Sequence, residues 1–467
     1  MDEKKLGLPS VIATGVGLIV ATSCLLSLGQ GAGALGTGFI LPMVIACAIN
    51  ICTALCLAEL NAIMPNLTGG LAQYSLAGMG PFVTIVTMVG GYLVCQAIAG
   101  SIECAMFGNA INEVFNTGLP SSVFCIIMIV VLVIANLMGI DMFAKIQDFV
   151  AYGLILSLII MGIMGILGLG TGEVVVQKMD QTTSIGESFG LLGMAFFLFI
   201  GSEFVIPVST QVKNARRNIP LGMVLSLVII LVMQILVVIG MGRFTLWGDL
   251  AESAAPHILY GNSLLGTIGS YWMVLVSIFA VVSTVNSAIS FFGYMCAGMA
   301  KINLMPSFFA KRSKKGVYYV GVLTIGGIMA FINATGLSGS DSLSFMIIVA
   351  IVFWMVSYVI ADINVLVFRK RLPKAPRTFK IPFGPVIPVI SILGTLFMIW
   401  NIDGDPMVRL TIFGIDGVIF VLLMIYSFIW CKVRLKKPLF KPIPVEEVMA
   451  MENTLYLEVR KTHKHTA

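Results

Sequence analysis

Residues 195–208 read AFFLFIGSEFVIPV and place one glutamate, Glu203, inside a run of phenylalanines and branched aliphatic residues. A charge within hydrocarbon is costly, so a carboxylate in such a place has a partner or a task. The same stretch holds Gly201, Ser202 and Pro207, and Gly and Pro in particular weaken or break a helix. The stretch therefore predicts an apolar helix that is interrupted near its middle, beside a buried carboxylate.

The composition of the whole chain identifies the environment of this helix. Hydrophobic residues make up 58% of the 467 positions and charged residues 11%, which is less than half the roughly 25% usual in soluble domains. Apolar stretches recur along the chain, and they reach the ~20 residues that a helix needs to cross a bilayer. We therefore predict an all-α integral membrane protein whose surroundings are the lipid bilayer.

The distribution of basic residues predicts the orientation. We predict twelve spans, centred near residues 20, 47, 95, 129, 157, 198, 230, 280, 326, 356, 391 and 420. With a cytoplasmic N-terminus, only Lys178, Arg243 and Arg409 of the 28 Lys and Arg residues fall outside, which is the positive-inside asymmetry. This predicts a multi-pass plasma-membrane protein, in a bacterium an inner-membrane protein, with both termini cytoplasmic. The basic residues then set topology, and no nucleic-acid partner is expected.

The first span is interrupted in a similar way to the sixth. Residues 13–36 read ATGVGLIVATSCLLSLGQGAGALG, and they contain two glycines and a run of small residues: Gly15, Gly17, Ala21, Thr22 and Ser23. The first and sixth spans correspond if the first ten spans form two five-helix halves. A matched pair of interrupted helices indicates an inverted-repeat secondary transporter. The alternative is that the glycines only allow helices to pack closely.

Several blocks of sequence resemble one known superfamily. They are LAELNAIMPNLTGGLAQYSLAGMGPF (57–82), ANLMGI (135–140), FIGSEFVIPVSTQVKNARRNIP (199–220), GMAKINLMPSFFAK (298–311) and RTFKIPFGPVIPV (377–389). In register across nearly the whole chain, they resemble the amino acid–polyamine–organocation (APC) superfamily. The resemblance implies the LeuT-type fold, with inverted repeats in residues 1–170 and 171–370. Two peripheral helices would follow in residues 371–431 and a cytoplasmic tail in 432–467.

The resemblance also implies a function, which is alternating-access transport of a small amino acid. Two alternatives are a transporter of a polyamine or other organic cation and a nutrient sensor derived from a transporter. An enzyme is not expected, because the chain lacks the serine hydrolase and zinc protease motifs. Its three histidines, His257, His463 and His465, lie in a predicted outer loop and in the tail.

The resemblance places the substrate at the two interrupted spans. Ala21, Thr22 and Ser23 would offer freed N–H groups to a substrate carboxylate, because the N-terminus of a half-helix favours an anion. Relatives usually carry a Gly-x-Gly pattern here, so Ala-Thr-Ser favours a small substrate.

In the sixth span, Phe197 would cover the substrate, and Gly201 with Ser202 would form the unwound joint. Ordinary packing is the alternative for Phe197. Glu203 matches a glutamate that the superfamily commonly carries after this joint. It would either hold the joint together or carry a proton.

A second carboxylate lies in the middle of the third span. Gln96, Gly100, Glu103 and Phe107 follow helical spacing and share one face. Glu103 could hold a substrate ammonium group, take a coupling proton or pair with a polar group on the first or eighth span. Asp362 and Asp416 lie nearer the ends of their spans, where we expect water to reach them.

Three modes of coupling stay possible: transport driven by sodium, transport driven by protons, and exchange without a coupling ion. Sodium-driven relatives set adjacent hydroxyl residues of the eighth span against carbonyls of the first, which here predicts a sodium site from Gly17, Val20, Ser283 and Thr284. The two hydroxyls could instead bond to their own helix carbonyls. Some proton-driven relatives place a fifth-span lysine there, but Gly153 and Leu154 stand about where it would fall. No other cofactor is expected.

Overall fold

The described part of the chain is helical, with two isolated β-bridges and no β-strand. The structure is a computed structural model that describes residues 5–115, 118–336, 343–375, 377 and 379–452. The end of the predicted tail, with His463 and His465, lies outside the described residues. The α-helices are α1 Leu8–Ile19, α2 Thr22–Leu35, α3 Ile40–Ile63, α4 Leu71–Met79, α5 Pro81–Met88, α6 Cys95–Phe115, α7 Ser121–Leu137, α8 Ile140–Leu167, α9 Ile185–Gly190, α10 Leu192–Phe197, α11 Ala215–Phe244, α12 Trp247–Glu252, α13 Pro256–Leu265, α14 Thr267–Lys301, α15 Tyr319–Ala334, α16 Leu343–Arg371, α17 Val386–Trp400, α18 Pro406–Ile429 and α19 Val445–Glu452.

The described helices include seven that are long and apolar enough to cross a membrane, and α1 with α2 makes an eighth if that bent pair is one span. Four shorter apolar helices are Ser121–Leu137, Leu192–Val205, Tyr319–Ala334 and Val386–Trp400. At ~1.5 Å per residue, the longest of these four reaches about 25 Å, slightly less than the ~30 Å of a bilayer core. Every predicted span centre falls on one of these helices or at its break, while the count of twelve crossings stays a prediction.

Burial separates a central helix from peripheral ones. In the most apolar 18-residue segment of α14, 78% of the segment is buried, against 22% in the segment that includes α18. Helices α1, α6, α7, α8 and α15 pack around α14. Helices α17 and α18 instead expose large apolar side chains such as Leu393, Val418 and Leu422, as expected of surfaces that face lipid. This arrangement places the site-bearing helices α1, α6 and α14 in the interior of the bundle.

The first predicted break lies between α1 and α2, whose axes differ by 61°. The helix stops at Ile19, and Ala21 is extended, with φ −85° and ψ 168°. Gly15 and Gly17 were expected to interrupt the span, but both lie inside α1. A Cβ at Gly17 would stand 1.9 Å from Ser283 Oγ, so this glycine allows close packing against α14.

The second predicted break follows α10. The α-helix ends at Phe197, and Ser202–Val205 forms a 3₁₀ turn before the chain reaches α11. Gly201 has φ +117°, a conformation that side chains disfavour, and an added Cβ would also stand 2.7 Å from Leu18 Cδ2. The joint at Gly201 therefore requires glycine and packs directly on the first broken span.

Buried carboxylates away from the breaks also differ from one another. Arg369 donates to both oxygens of Glu59, over 2.9 and 2.6 Å, and so ties the end of α16 to α3. Asp362 and Asp416 were expected to reach water, but they are 0% and 6% exposed. Their helices, α16 and α18, pack on α3 and α5, and the bundle buries both side chains.

Candidate substrate-binding site

Glu103 of α6 closes the N-terminus of α2. Its Oε2 accepts from the Thr22 N–H over 2.9 Å, and its Oε1 accepts from the Ser23 N–H over 3.1 Å and from the Ser23 hydroxyl. The side chain of Glu103 is buried. Backbone N–H groups at a helix N-terminus and the helix dipole both stabilise a negative charge. Glu103 thus occupies the anion position at the start of α2.

This contact changes the reading of the predicted carboxylate site. Ala21 directs its N–H to the Ile19 carbonyl over 3.0 Å, and Thr22 and Ser23 direct theirs to Glu103. The three residues meet at the break as predicted, but each of their N–H groups already has a protein partner. The carboxylate at this helix end comes from the chain itself.

A cavity of about 100 Å³ lies beside the break. It is bounded by α2, α9, α10, α16 and the loop between α17 and α18. Its described lining consists of Ser23, Leu26, Ser27, Gln30, Gly190, Leu191, Gly193, Met194, Phe197, Ile348, Ile351, Ile402, Asp403 and Gly404. Among these residues Asp403 carries the only formal charge. The cavity is therefore mostly apolar, with hydroxyl and amide groups along α2.

The predicted site residues divide into two sets around this cavity. Ser23 and Phe197 line it, and Phe197 is half-buried as the last residue of α10. Glu103 lies behind Ser23, to which it is hydrogen-bonded. The second set lies at the joint that follows α10 in the chain and is absent from the cavity lining. Its members are the buried residues Gly201, Ser202 and Glu203.

Glu203 is held on both carboxylate oxygens by α16. Trp354 Nε1 donates to Oε1 over 2.6 Å, and the Tyr358 hydroxyl donates to Oε2 over 2.6 Å. The same hydroxyl accepts from the Gly201 N–H over 3.0 Å. The network therefore satisfies a backbone group freed by the break and fastens the joint to α16, which favours the structural role of Glu203.

Sequence reasoning did not single out Trp354 and Tyr358. They lie four residues apart, so they share one face of α16. Both have an apolar ring with one polar group that usually finds a partner when buried. That spacing in an apolar helix indicates a polar contact on this face, but it does not identify Glu203 as the partner.

The predicted sodium site contains a side chain that sequence reasoning did not place there. Thr284 Oγ1 donates to the Gly17 carbonyl over 2.9 Å. Gln147 of α8 donates through Nε2 to Ser283 Oγ over 2.7 Å and to the Ala13 carbonyl over 3.2 Å. Val20 is buried nearby and directs its N–H to Val16. A carboxamide NH₂ thus uses Ser283 Oγ, one of the oxygen atoms that the predicted sodium site would need.

The position on α8 corrects the expected alignment. The residue that reaches this point is Gln147, more than one turn before Gly153 and Leu154. Gly153 instead faces the Phe279 ring, where an added Cβ would stand 2.7 Å away. Asn286 donates to Gln147 Oε1 over 3.1 Å and accepts from Asn136 over 2.8 Å, so the amide is fixed in a polar chain. The described residues contain no group of three or more His, Cys, Asp or Glu side chains suited to a metal.

His257 of α13 is buried close to the first break. Its Nε2 lies 2.6 Å from Ser277 Oγ on α14, and the Ser277 carbonyl accepts from Thr22 Oγ1 over 3.4 Å. Burial lowers the pKa of His257 from the usual 6.5 to about 4, because the charged imidazolium loses its hydration. The ring is therefore neutral at physiological pH.

Comparison with known proteins identifies the relatives of the chain. It is 23% identical to the branched-chain amino acid permease BcaP of Bacillus subtilis (strain 168), over 91% of this chain and 93% of that protein. It is 26% identical to the methylthioribose transporter of the same organism, over 86% and 87%. It is 23% identical to the putrescine transporter PotE of Haemophilus influenzae, over 79% and 84%. These relatives are permeases and transporters, not enzymes.

A solved structure and a family profile also match the chain. The manganese transporter of Eremococcus coleocola, solved with an aromatic bis-isothiourea substituted compound, matches with a TM-score of 0.58 at 15% identity, over 91% of this chain and 94% of that one. This likeness confirms the fold class, an all-α membrane protein of the LeuT type. The profile described as "Amino acid permease" matches residues 6–432, which confirms the resemblance drawn from the sequence blocks. The chain therefore belongs to the amino acid permease family.

Proposed function

We propose that this protein is a secondary active transporter that moves a small amino-bearing solute, an amino acid or an amine, across the plasma membrane by alternating access. The observation that carries the proposal is the cavity between the two broken helices, lined by Ser23 at the start of α2 and by Phe197 at the end of α10. The names of the relatives, which include carriers of branched-chain amino acids and putrescine, support a substrate of this class.

The two breaks provide a physical basis for alternating access. Each break lets one half of a span turn against the other half without breaking the backbone hydrogen bonds of either half. Phe197 lines the cavity at the end of α10, so its movement would change access to the cavity. The proposed cycle is a rocking of α1, α2 and the α10 segment against the rest of the bundle.

The proposed transport does not use sodium. The donors of Gln147 face the Ala13 carbonyl and Ser283 Oγ, and a cation at that point would meet the positive end of the amide dipole. Thr284 already donates its hydroxyl hydrogen to Gly17. The proposal includes two modes of transport, which are exchange of solutes and coupling to a proton.

Uptake by purified protein in liposomes tests this function. Radiolabelled amino acids and amines would be presented with sodium, proton or no gradients, and also as counterflow against a preloaded solute. We expect saturable uptake or counterflow of at least one solute, with no requirement for sodium. Gly201→Val should abolish it, because valine cannot adopt the φ of this joint. Specific binding without any uptake or counterflow would instead identify a sensor.

A further inference from the structure

The start of α2 is the feature that the proposed function does not explain. An amino acid that binds at such a helix end needs free N–H donors for its carboxylate. Here the N–H groups of Thr22 and Ser23 and the Ser23 hydroxyl all point to Glu103. A buried side chain from a helix 80 residues away has taken the position of the substrate's own carboxylate.

We propose that the substrate of this site is a small primary amine that has no carboxylate, and that Glu103 permanently supplies the anion at the start of α2. The inference rests on the proposed transport function for its biological meaning. It narrows that function from amino acids and amines to amines alone. The geometry of Glu103 and the charges around the cavity carry it.

An amino acid is disfavoured because its carboxylate would find neither free backbone donors at the start of α2 nor a counter-charge among the described lining residues. To reach Thr22 and Ser23 it would have to displace Glu103, whose negative charge repels it at close range. Displacement would also leave Glu103 buried without its three donors. The described lining residues include no Lys or Arg that could receive the carboxylate elsewhere in the cavity.

An ammonium group, in contrast, meets a favourable field. A carboxylate can accept about four hydrogen bonds, and Glu103 accepts three from the start of α2, two of them on Oε1. Its charge lies directly behind Ser23. Asp403 places a negative charge in the lining itself, and Ser27 and Gln30 offer oxygen atoms. An ammonium group at this wall is therefore attracted by the carboxylates, and the described lining has no Lys or Arg to oppose it.

The remaining lining fits the apolar part of such an amine. Leu26, Met194 and Ile351 form an aliphatic surface, and Phe197 adds an aromatic ring. The cavity volume of about 100 Å³ suits a short alkyl or a single aryl group. A cation near an aromatic face gains a further attraction. The site thus has a negative wall at α2 and an apolar wall at α10 and α16.

Matched pairs of ligands test the inference directly. Binding to the purified full-length protein would be measured by calorimetry at pH 7 for isobutylamine and valine, isoamylamine and leucine, and phenethylamine and phenylalanine. Each pair shares a side chain and differs in the carboxylate. We expect at least tenfold tighter binding of the amine in one or more pairs. The inference is overturned if the amino acid binds as tightly or more tightly in every pair that shows binding, or if no amine binds at millimolar concentration.

Substitution of Glu103 separates its role from mere packing. Glu103→Ala frees the donors of Thr22 and Ser23, so amine binding should weaken at least tenfold while binding of the matched amino acid improves. Glu103→Gln keeps the size of the side chain and should also weaken amine binding at least tenfold, which covers a failure of the alanine variant to fold. The matched control is Asp416→Asn, which removes a buried carboxylate on the peripheral α18 and should keep the wild-type preference. Unchanged amine affinity in folded Glu103→Gln would overturn the inference.

The outcomes for this inference and for transport are distinct because binding is measured apart from uptake. Amine binding without uptake in liposomes removes the transport function and leaves the ligand class intact. Uptake of amino acids with no amine binding removes the ligand class and leaves transport intact.

Discussion

The two breaks use the same chemical group in different ways. At the first break, Glu103 accepts from the backbone at a helix N-terminus and lies behind the wall of a cavity. At the second, Glu203 accepts from two aromatic side chains of α16. Glu203 is 0% exposed and lies outside the cavity lining. One carboxylate caps a helix behind a cavity wall, and the other fastens a joint. A mid-span glutamate in the sequence therefore does not by itself indicate which role it has.

Removal of Glu203 should produce the largest effect, on stability. Glu203→Ala leaves the Trp354 N–H and the Tyr358 hydroxyl buried without their acceptor, and an unsatisfied buried group costs about 1–3 kcal/mol. We expect a loss of roughly 2–6 kcal/mol for the two groups, measured as a fall in the thermal midpoint of the purified protein. Glu103→Gln should lower the midpoint much less. Equal losses from the two variants would remove the distinction between a joint and a site.

The aromatic ring at the end of α10 should matter for affinity. Phe197→Ala removes a large apolar surface from the cavity wall, so binding of the best ligand should weaken by about 1–3 kcal/mol. Expression and thermal midpoint should stay close to wild type, because the ring is only half-buried. Phe199→Ala offers a control, since Phe199 is fully buried and does not line the cavity; it should lower stability. Unchanged affinity in Phe197→Ala would assign the ring to ordinary packing.

The first break should also be sensitive to acid through His257. The folded-state pKa of His257, about 4, lies below the usual 6.5, so the unfolded chain binds more protons between these values. The contribution of neutral His257 to the free energy of unfolding is therefore complete above pH 6.5. It falls as the pH drops toward 4, and the loss is about 2 kcal/mol at pH 5.

Thermal midpoints of the wild type and of His257→Gln between pH 7.5 and 5 would measure this contribution. The wild type should lose more stability on acidification than the variant, because glutamine does not titrate. A variant that loses as much as the wild type would show that other groups cause the acid sensitivity.

Replacement of sodium should have the smallest effect. Because Gln147 donates to Ser283 Oγ and Thr284 donates to the Gly17 carbonyl, exchange of sodium for potassium should change the initial rate of uptake by less than about twofold, a change of under ~0.4 kcal/mol. Gln147→Ala is the informative comparison, because it frees the Ala13 carbonyl and Ser283 Oγ for a cation. Strong sodium dependence in the wild type would contradict the displacement of sodium by this amide.

Much of the fold could be predicted from local features of the sequence. The positions of both breaks followed from small residues and Gly201 in apolar helices, and the bend between α1 and α2 lies at Val20 and Ala21 as that reasoning indicates. Gly15 and Gly17 were less informative, because a glycine marks either a break or a close contact. The positions of Ser226 against Gly15 and of Ser283 against Gly17 show that both mark close contacts.

The sequence by itself determined that this is a membrane protein with two interrupted spans and two mid-span glutamates, because hydropathy and helix-breaking tendency depend on neighbouring residues. The tertiary structure alone decided the partner of each polar group. Glu103 meets Thr22 across 81 positions, Gln147 meets Ser283 across 136, and Trp354 meets Glu203 across 151. A buried charge or amide takes whichever donor or acceptor the packing of the helices brings within about 3 Å, and no local pattern contains that distance.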